Sequence, residues 1–294
     1  MDWSRDFYST TGRWWGPAES GVTQRDHERV ALVQAATAEA TTMLELGCGY
    51  GSTAALAARS GFQVLGVDIS DRLQFARRYL DEAAPDTLGF AYADFYRFAA
   101  RRRFDVVCYW NGFGIGTDAD QRVLLRRIAQ EWLAPGGVAL IDVANPLVWA
   151  RWAGEVEHKA ARPQDGYRYA LTERFDFDPI GCRYIDTWWE QDHPEQAHTQ
   201  TGRCYTPADF ALLLAGTGLT LSAAYVGDAP IGDGGDAASR AGLLTERHEW
   251  LAVLRAGDAG DAGDARDAGD ARDAGDARDA GDARDAGDAR DAGD

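Results

Sequence analysis

From position 41 to position 143 short apolar runs alternate with longer stretches whose apolar residues recur every three or four positions. The runs Met43-Leu44-Glu45-Leu46, Gln63-Val64-Leu65-Gly66-Val67 and Phe104-Asp105-Val106-Val107-Cys108-Tyr109 read as buried strands, as do 88–93 and 138–143. Between them, Leu73, Ala76 and Leu80 and then Leu124, Ile128 and Trp132 mark helix faces, with Ser70 and Thr117 as caps. Thr23 with Asp26 three residues on predicts a capping box on an earlier helix. Buried strands joined by helices predict an α/β fold: a doubly wound, mainly parallel sheet with helices on both faces.

Outside that core the pattern changes. Residues 1–22 carry Trp3, Phe7, Tyr8, Trp14 and Trp15 with Gly12, Gly16 and Pro17 as breakers, so an irregular aromatic lid is expected rather than a helix. Residues 23–256 form the main domain. After Asn145-Pro146, segments 167–178 and 182–192 are extended and aromatic, and predict a small antiparallel β insertion over about 150–205. Pro207 opens a last helix, Gly216 and Gly218 close it, and 219–225 and 248–254 are the final strands. The stretch 257–294 repeats Asp-Ala-Gly-Asp-Ala-Arg with nothing larger than alanine to bury, so an acidic disordered tail is expected.

Charge narrows the partners. The formal net charge is −17, and the tail, with 13 Asp and 5 Arg, carries eight of those negative charges. The remainder is still acidic, against phosphate-backbone binding, so no nucleic-acid partner is expected. No run approaches membrane-spanning length and the start lacks an apolar signal region, so the expected location is the cytoplasm, with no membrane partner. Cys48, Cys108, Cys182 and Cys204 are far apart, and no metal motif appears. Monomer and homodimer both remain open.

The candidate chemistry lies at the strand ends. Glu45-Leu46-Gly47-Cys48-Gly49-Tyr50-Gly51-Ser52 runs from strand through a glycine turn into a small-residue helix. Glycine allows the sharp turn and lets a ligand approach the backbone, while the helix start favours electron-rich groups. Asp68, Asp94 and Asn111 stand at three further strand ends, where ligands of such sheets bind. The third glycine comes one residue earlier than a dinucleotide fingerprint asks.

With Val67-Asp68-Ile69-Ser70, Ala93-Asp94-Phe95, the Phe104 strand and Leu133-Ala134-Pro135-Gly136-Gly137, this set resembles the class I S-adenosylmethionine-dependent methyltransferases of bacterial small-molecule (secondary-metabolite) type, over roughly 40–145. The resemblance implies a Rossmann-like fold and S-adenosylmethionine as cofactor. It implies Gly47, Gly49 and Gly51 along the methionine part, Glu45 at its ammonium and Asp68 at the ribose. Asp94 would meet the adenine amine, Ile69 and Phe95 its faces, and Trp110 and Asn111 the methionine end.

For the acceptor, aromatic walls suit a flat or amine-bearing metabolite, methylated at nitrogen, carbon or oxygen. Tyr8, Trp14, Trp15, Phe113, Trp149 and Trp152 are the expected substrate contacts, and His158 and Tyr205 the candidate bases. His248 reads as a structural or surface histidine. Two alternatives stay open: an NAD(P)-dependent oxidoreductase on the same sheet, and a non-catalytic adenosyl-ligand-binding protein.

Overall fold

Strands that are apolar on both sides need cover on both faces, and the computed structural model, which describes residues 2–37, 39–232 and 237–257, supplies it. Helices α1 (Asp2–Glu19) and α2 (Gln24–Ala36) precede β1 (Thr42–Leu46). Then come α3 (Ser52–Arg59), β2 (Gln63–Asp68), α4 (Leu73–Glu82), β3 (Leu88–Tyr92), β4 (Phe104–Phe113), α5 (Asp118–Arg127) and β5 (Leu133–Ala144). A π-helical turn, Ile128–Trp132, extends α5. After α6 (Pro146–Trp152) the chain lays down β6 (Val156–Lys159), β7 (Leu171–Asp178), β8 (Arg183–Glu190) and β9 (His198–Arg203). It ends with α7 (Pro207–Leu214), β10 (Leu219–Val226), β11 (Ala229–Ile231), α8 (Ala237–Ala241) and β12 (Glu249–Ala256).

The main sheet has the order β11-β10-β12-β5-β4-β1-β2-β3. Strands β1 to β5 pair in parallel, whereas β12 runs antiparallel to β5 and to β10. Met43, Val106, Cys108 and Leu140 pack on the side of α2 and α3; Leu44, Val107 and Ile141 pack on the side of α5 and α7. Strand order reverses between β1 and β4, which opens a crevice beyond their carboxyl ends. The second sheet, β6-β7-β8-β9, is wholly antiparallel. The mainly parallel doubly wound sheet and the small antiparallel one both match the expectation. The repeat tail from 258 onward lies outside the described residues.

Three local expectations are corrected. Residues 2–19 form a helix despite their breakers. Gly12 and Gly16 let α1 lie close against α4 and the turn before it: a Cβ at Gly12 would stand 2.8 Å from Arg72 Cγ, and one at Gly16 2.3 Å from Phe75 Cζ. Tertiary contact thus outweighs weak helix propensity. Ser70 does not cap α4, which starts at Leu73; its N–H and hydroxyl both donate to Asp68 Oδ1, at 2.7 and 2.6 Å. The insertion is also larger than two strands, because β6 and β9 flank β7 and β8.

Gly51 serves the fold more than the ligand. It enters α3 at φ +75°, and a Cβ there would stand 2.7 Å from Phe90 Cζ and 2.8 Å from Ala76 Cβ. Left-handed strain and overpacking each cost roughly 1–3 kcal/mol. Gly51→Ala is therefore expected to lower unfolding free energy by about 2–4 kcal/mol in urea titration; an unchanged midpoint would refute the packing argument.

Candidate functional site

The turn after β1 is held open by backbone geometry. Gly47 and Gly49 take φ of +62° and +52°, and around a Cβ at Gly49 there is nothing within 4 Å. Their backbone can therefore lie directly against a ligand. Asp68 fixes the loop from the end of β2, its Oδ2 accepting from Gly49 N–H at 2.7 Å while Oδ1 holds Ser70. A carboxylate has about four acceptor positions, so a ribose hydroxyl at Asp68 shares it with the loop. On the helix side, Asp26 of α2 accepts from Ser52 and Thr53 hydroxyls at 2.9 and 2.6 Å and ties α2 to the start of α3.

This loop forms one wall of a cavity of about 460 Å³. Nine of the expected cofactor residues line it: Glu45, Gly47, Gly49, Asp68, Ile69, Asp94, Phe95, Trp110 and Asn111. Gly51 does not. Glu45 is buried with its Oε2 lacking a hydrogen-bond partner. Burial pushes its pKa up to about 8, against the pull of the Arg29 guanidinium. A buried acceptor without a donor is costly, and a ligand ammonium would satisfy it. At the other end Ile69, Asp94, Phe95 and Tyr96 form a slot of the right chemistry for adenine, Phe95 lying 5.0 Å from Tyr96 and 5.3 Å from Tyr109. These residues fit S-adenosylmethionine.

A second cavity, of about 900 Å³, opens against the first, and Tyr8, Glu19, Arg25, Arg72, Asn111 and Tyr167 line both. Asn111 takes φ +56°, uncommon for a residue with a side chain and concentrated at functional sites. Of the expected substrate contacts Tyr8, Trp15, Phe113, Trp149 and Trp152 line this second cavity. Helix α1 brings Tyr8 there because Arg72 pins it: the guanidinium lies 4.9 Å from the Tyr8 ring, 5.1 Å from Tyr50 and 5.6 Å from Trp15. Arg72 Nε also donates to the Tyr8 carbonyl at 3.1 Å. Burial raises the pKa of the Tyr8 hydroxyl, so it acts as a donor, toward Gln200 Oε1 at 2.8 Å.

Besides Gly51, three sequence candidates fall outside both cavities. Trp14 is buried in the contact between α1 and the second sheet, its Nε1 donating to Glu190 Oε1 at 2.8 Å. Tyr205 is 2% exposed in the core beside Phe113 and Phe210, and its hydroxyl donates to Asp118 at 2.7 Å. His158 sits on exposed edge strand β6 with Nδ1 3.0 Å from Thr172 Oγ1. A base needs to reach the acceptor, and these positions give neither His158 nor Tyr205 that reach.

What the sequence reading passed over is the cluster at the start of β12. His248 and Glu249 line the second cavity, with His248 Nε2 3.7 Å from Glu249 Oε2. Glu249 Oε2 accepts from Arg25 at 2.8 Å, and Arg25 also donates to Asn111 Oδ1. Burial raises both Glu249 and Asp142, the latter further through the Glu249 charge. Arg29 lies 3.6 Å from Asp142. His248 packs against Trp149 and Trp152, and burial, then Arg25, lower its pKa, so it is neutral at pH 7. No signal in the sequence marks it, because it is the long-range register of β12 on β5 that sets Glu249 beside Ala144.

A family model described as "Methyltransferase domain" matches residues 23–224. The cypemycin N-terminal methyltransferase of a Streptomyces species is 31% identical over 119 residues, 39% of this chain; the chain spans only 46% of that relative's length. The CcbJ methyltransferase of Streptomyces caelestis superposes with a TM-score of 0.66 at 20% identity, over 86% of this chain and 98% of that one. CalS10, an amino pentose methyltransferase of Micromonospora echinaspora, gives 0.53 at 19% identity, over 78% and 89%. At such identities the structural matches speak for the fold.

Proposed function

The chain belongs to the methyltransferase-domain family, and from that premise we propose that it is an S-adenosylmethionine-dependent methyltransferase that methylates an amine nitrogen of a small aromatic or sugar-like metabolite. The observation that carries the reading is the meeting of the two cavities along Tyr8, Arg25 and Asn111. The cofactor supplies an electrophilic methyl group on sulfonium. Everything else falls to the chain. Glu45 and the Gly47–Gly49 backbone fix the methionine end, and the aromatic walls orient the acceptor for an in-line approach. Helix α1 closes over the loop through Ser4, Tyr8 and Glu19 and keeps water from the junction.

An amine acceptor must lose a proton. His248, neutral on the wall of the second cavity, takes it; its Nε2 lies 3.7 Å from Glu249 Oε2, and that carboxylate stabilises the imidazolium. The name of the cypemycin relative, an N-terminal methyltransferase, supports nitrogen as the acceptor, and that of CalS10 an amine-bearing sugar as the substrate class. The test is a labelled-methyl assay against matched amines, phenols and indoles. Label should enter amines; label confined to oxygen or carbon acceptors would overturn the reading.

A further inference from the structure

The floor of the second cavity is the inner face of β7 and β8. Alternation turns Leu171, Glu173 and Phe175 and Tyr184, Asp186 and Trp188 toward it. Two carboxylates thus stand on a face that would otherwise be apolar and aromatic. Glu173 has a partner: Lys159, the chain's single lysine, places Nζ 3.0 Å from Glu173 Oε2 and 5.3 Å from the Trp188 ring. An ammonium held between a carboxylate and an indole is therefore already present at this wall.

Asp186 has no cation in direct contact: the Lys159 charge reaches it only from beside Glu173, and Glu173 and Trp188 are its side-chain neighbours. It is 3% exposed; Oδ2 accepts from Gln200 Nε2 at 2.7 Å, while Oδ1 is buried with no hydrogen-bond partner. Burial beside a second carboxyl raises the Asp186 pKa, and an unmet buried acceptor facing a cavity is costly unless something binds there. Trp15 and Trp188, in edge contact at 4.9 Å, stand on the same wall and already receive cations, Arg72 at Trp15 and Lys159 at Trp188, which shows the wall's affinity for positive charge.

We propose that Asp186, with Glu173 and Trp188 beside it, is a subsite for a non-reacting ammonium group of the acceptor, so that the substrate carries a cationic amine apart from the atom methylated. The inference rests on the second cavity being the acceptor site. Asp186, Glu173 and Trp188 line that cavity alone, and Gln200, which donates to Asp186 and accepts from Tyr8, separates them from the junction. The subsite therefore grips one end of the substrate and leaves the other at the methyl group.

The test uses the full chain saturated with S-adenosylhomocysteine. Calorimetry compares tryptamine with tryptophol, phenethylamine with phenethyl alcohol and tyramine with tyrosol. In at least one pair the amine should bind about tenfold or more tightly, and Asp186→Asn should reduce that preference to about threefold or less. No preference in any pair, including no binding of either member, overturns the proposal, as does an Asn variant that keeps the preference. Unchanged affinity of Asp186→Asn for S-adenosylhomocysteine certifies its fold; if it does not fold, Glu173→Gln and the native amine–alcohol comparison decide. A native chain that binds no S-adenosylhomocysteine would refute the earlier reading instead.

Discussion

Glu45→Gln is expected to weaken S-adenosylhomocysteine binding at pH 7 by about tenfold or more and to abolish the proton release that accompanies it. A hydrogen bond to a charged group is worth roughly 1.5–3 kcal/mol, the range from about tenfold upward. Because burial raises Glu45 to about 8, the carboxyl is mostly protonated at pH 7 in the free chain. An ammonium arriving beside it favours the charged form and expels close to one proton. Calorimetry in buffers of different ionisation enthalpy measures that release; a native chain releasing none would refute the pairing.

The same group affects stability in the free chain. Its folded pKa lies above the unfolded value of 4.5, so its contribution is fully present below pH 4.5 and is lost as pH rises through about 8. The alkaline penalty is on the order of 5 kcal/mol. At pH 9 the Gln variant should therefore unfold at higher urea than the native chain. One substitution that weakens the ligand and strengthens the fold is hard to obtain from general damage.

His248→Ala is expected to lower kcat about a hundredfold at pH 7 while leaving S-adenosylhomocysteine affinity unchanged, since a positioned base contributes roughly 10²–10⁴. The base works unprotonated. Its pKa is lowered from 6.5 by burial and by Arg25, so native kcat/KM should fall only as pH drops below 6.5. Arg25→Met removes part of that depression and should shift the acid limb upward. An unaltered acid limb in both variants would remove His248 from the mechanism.

The family and the set of residues that line the first cavity were legible because they depend on local order. Glu45, Gly47, Gly49, Asp68, Asp94 and Asn111 each stand at the end of an apolar strand, and parallel strands bring their carboxyl ends to one edge whatever the loops do. Helix α1 was misread because Gly12 and Gly16 look like breakers until Arg72 and Phe75 are seen packing against them. Trp14, Tyr205 and His158 failed for a related reason: residue type suggests a site, while burial and direction decide it. Tyr205 spends its hydroxyl on Asp118, and His158 falls on the outer edge of a sheet.

By itself the sequence determined the α/β alternation, the glycine turn and the acidic strand ends, because strand period and backbone freedom are properties of consecutive residues. Only the tertiary structure decided which side chains face the second cavity. His248 and Glu249 come from the last strand, Asp186 from the inserted sheet and Tyr8 from the first helix. They meet because β12 pairs with β5 and Arg72 holds α1 in place, and such long-range packing leaves no periodic trace along the chain.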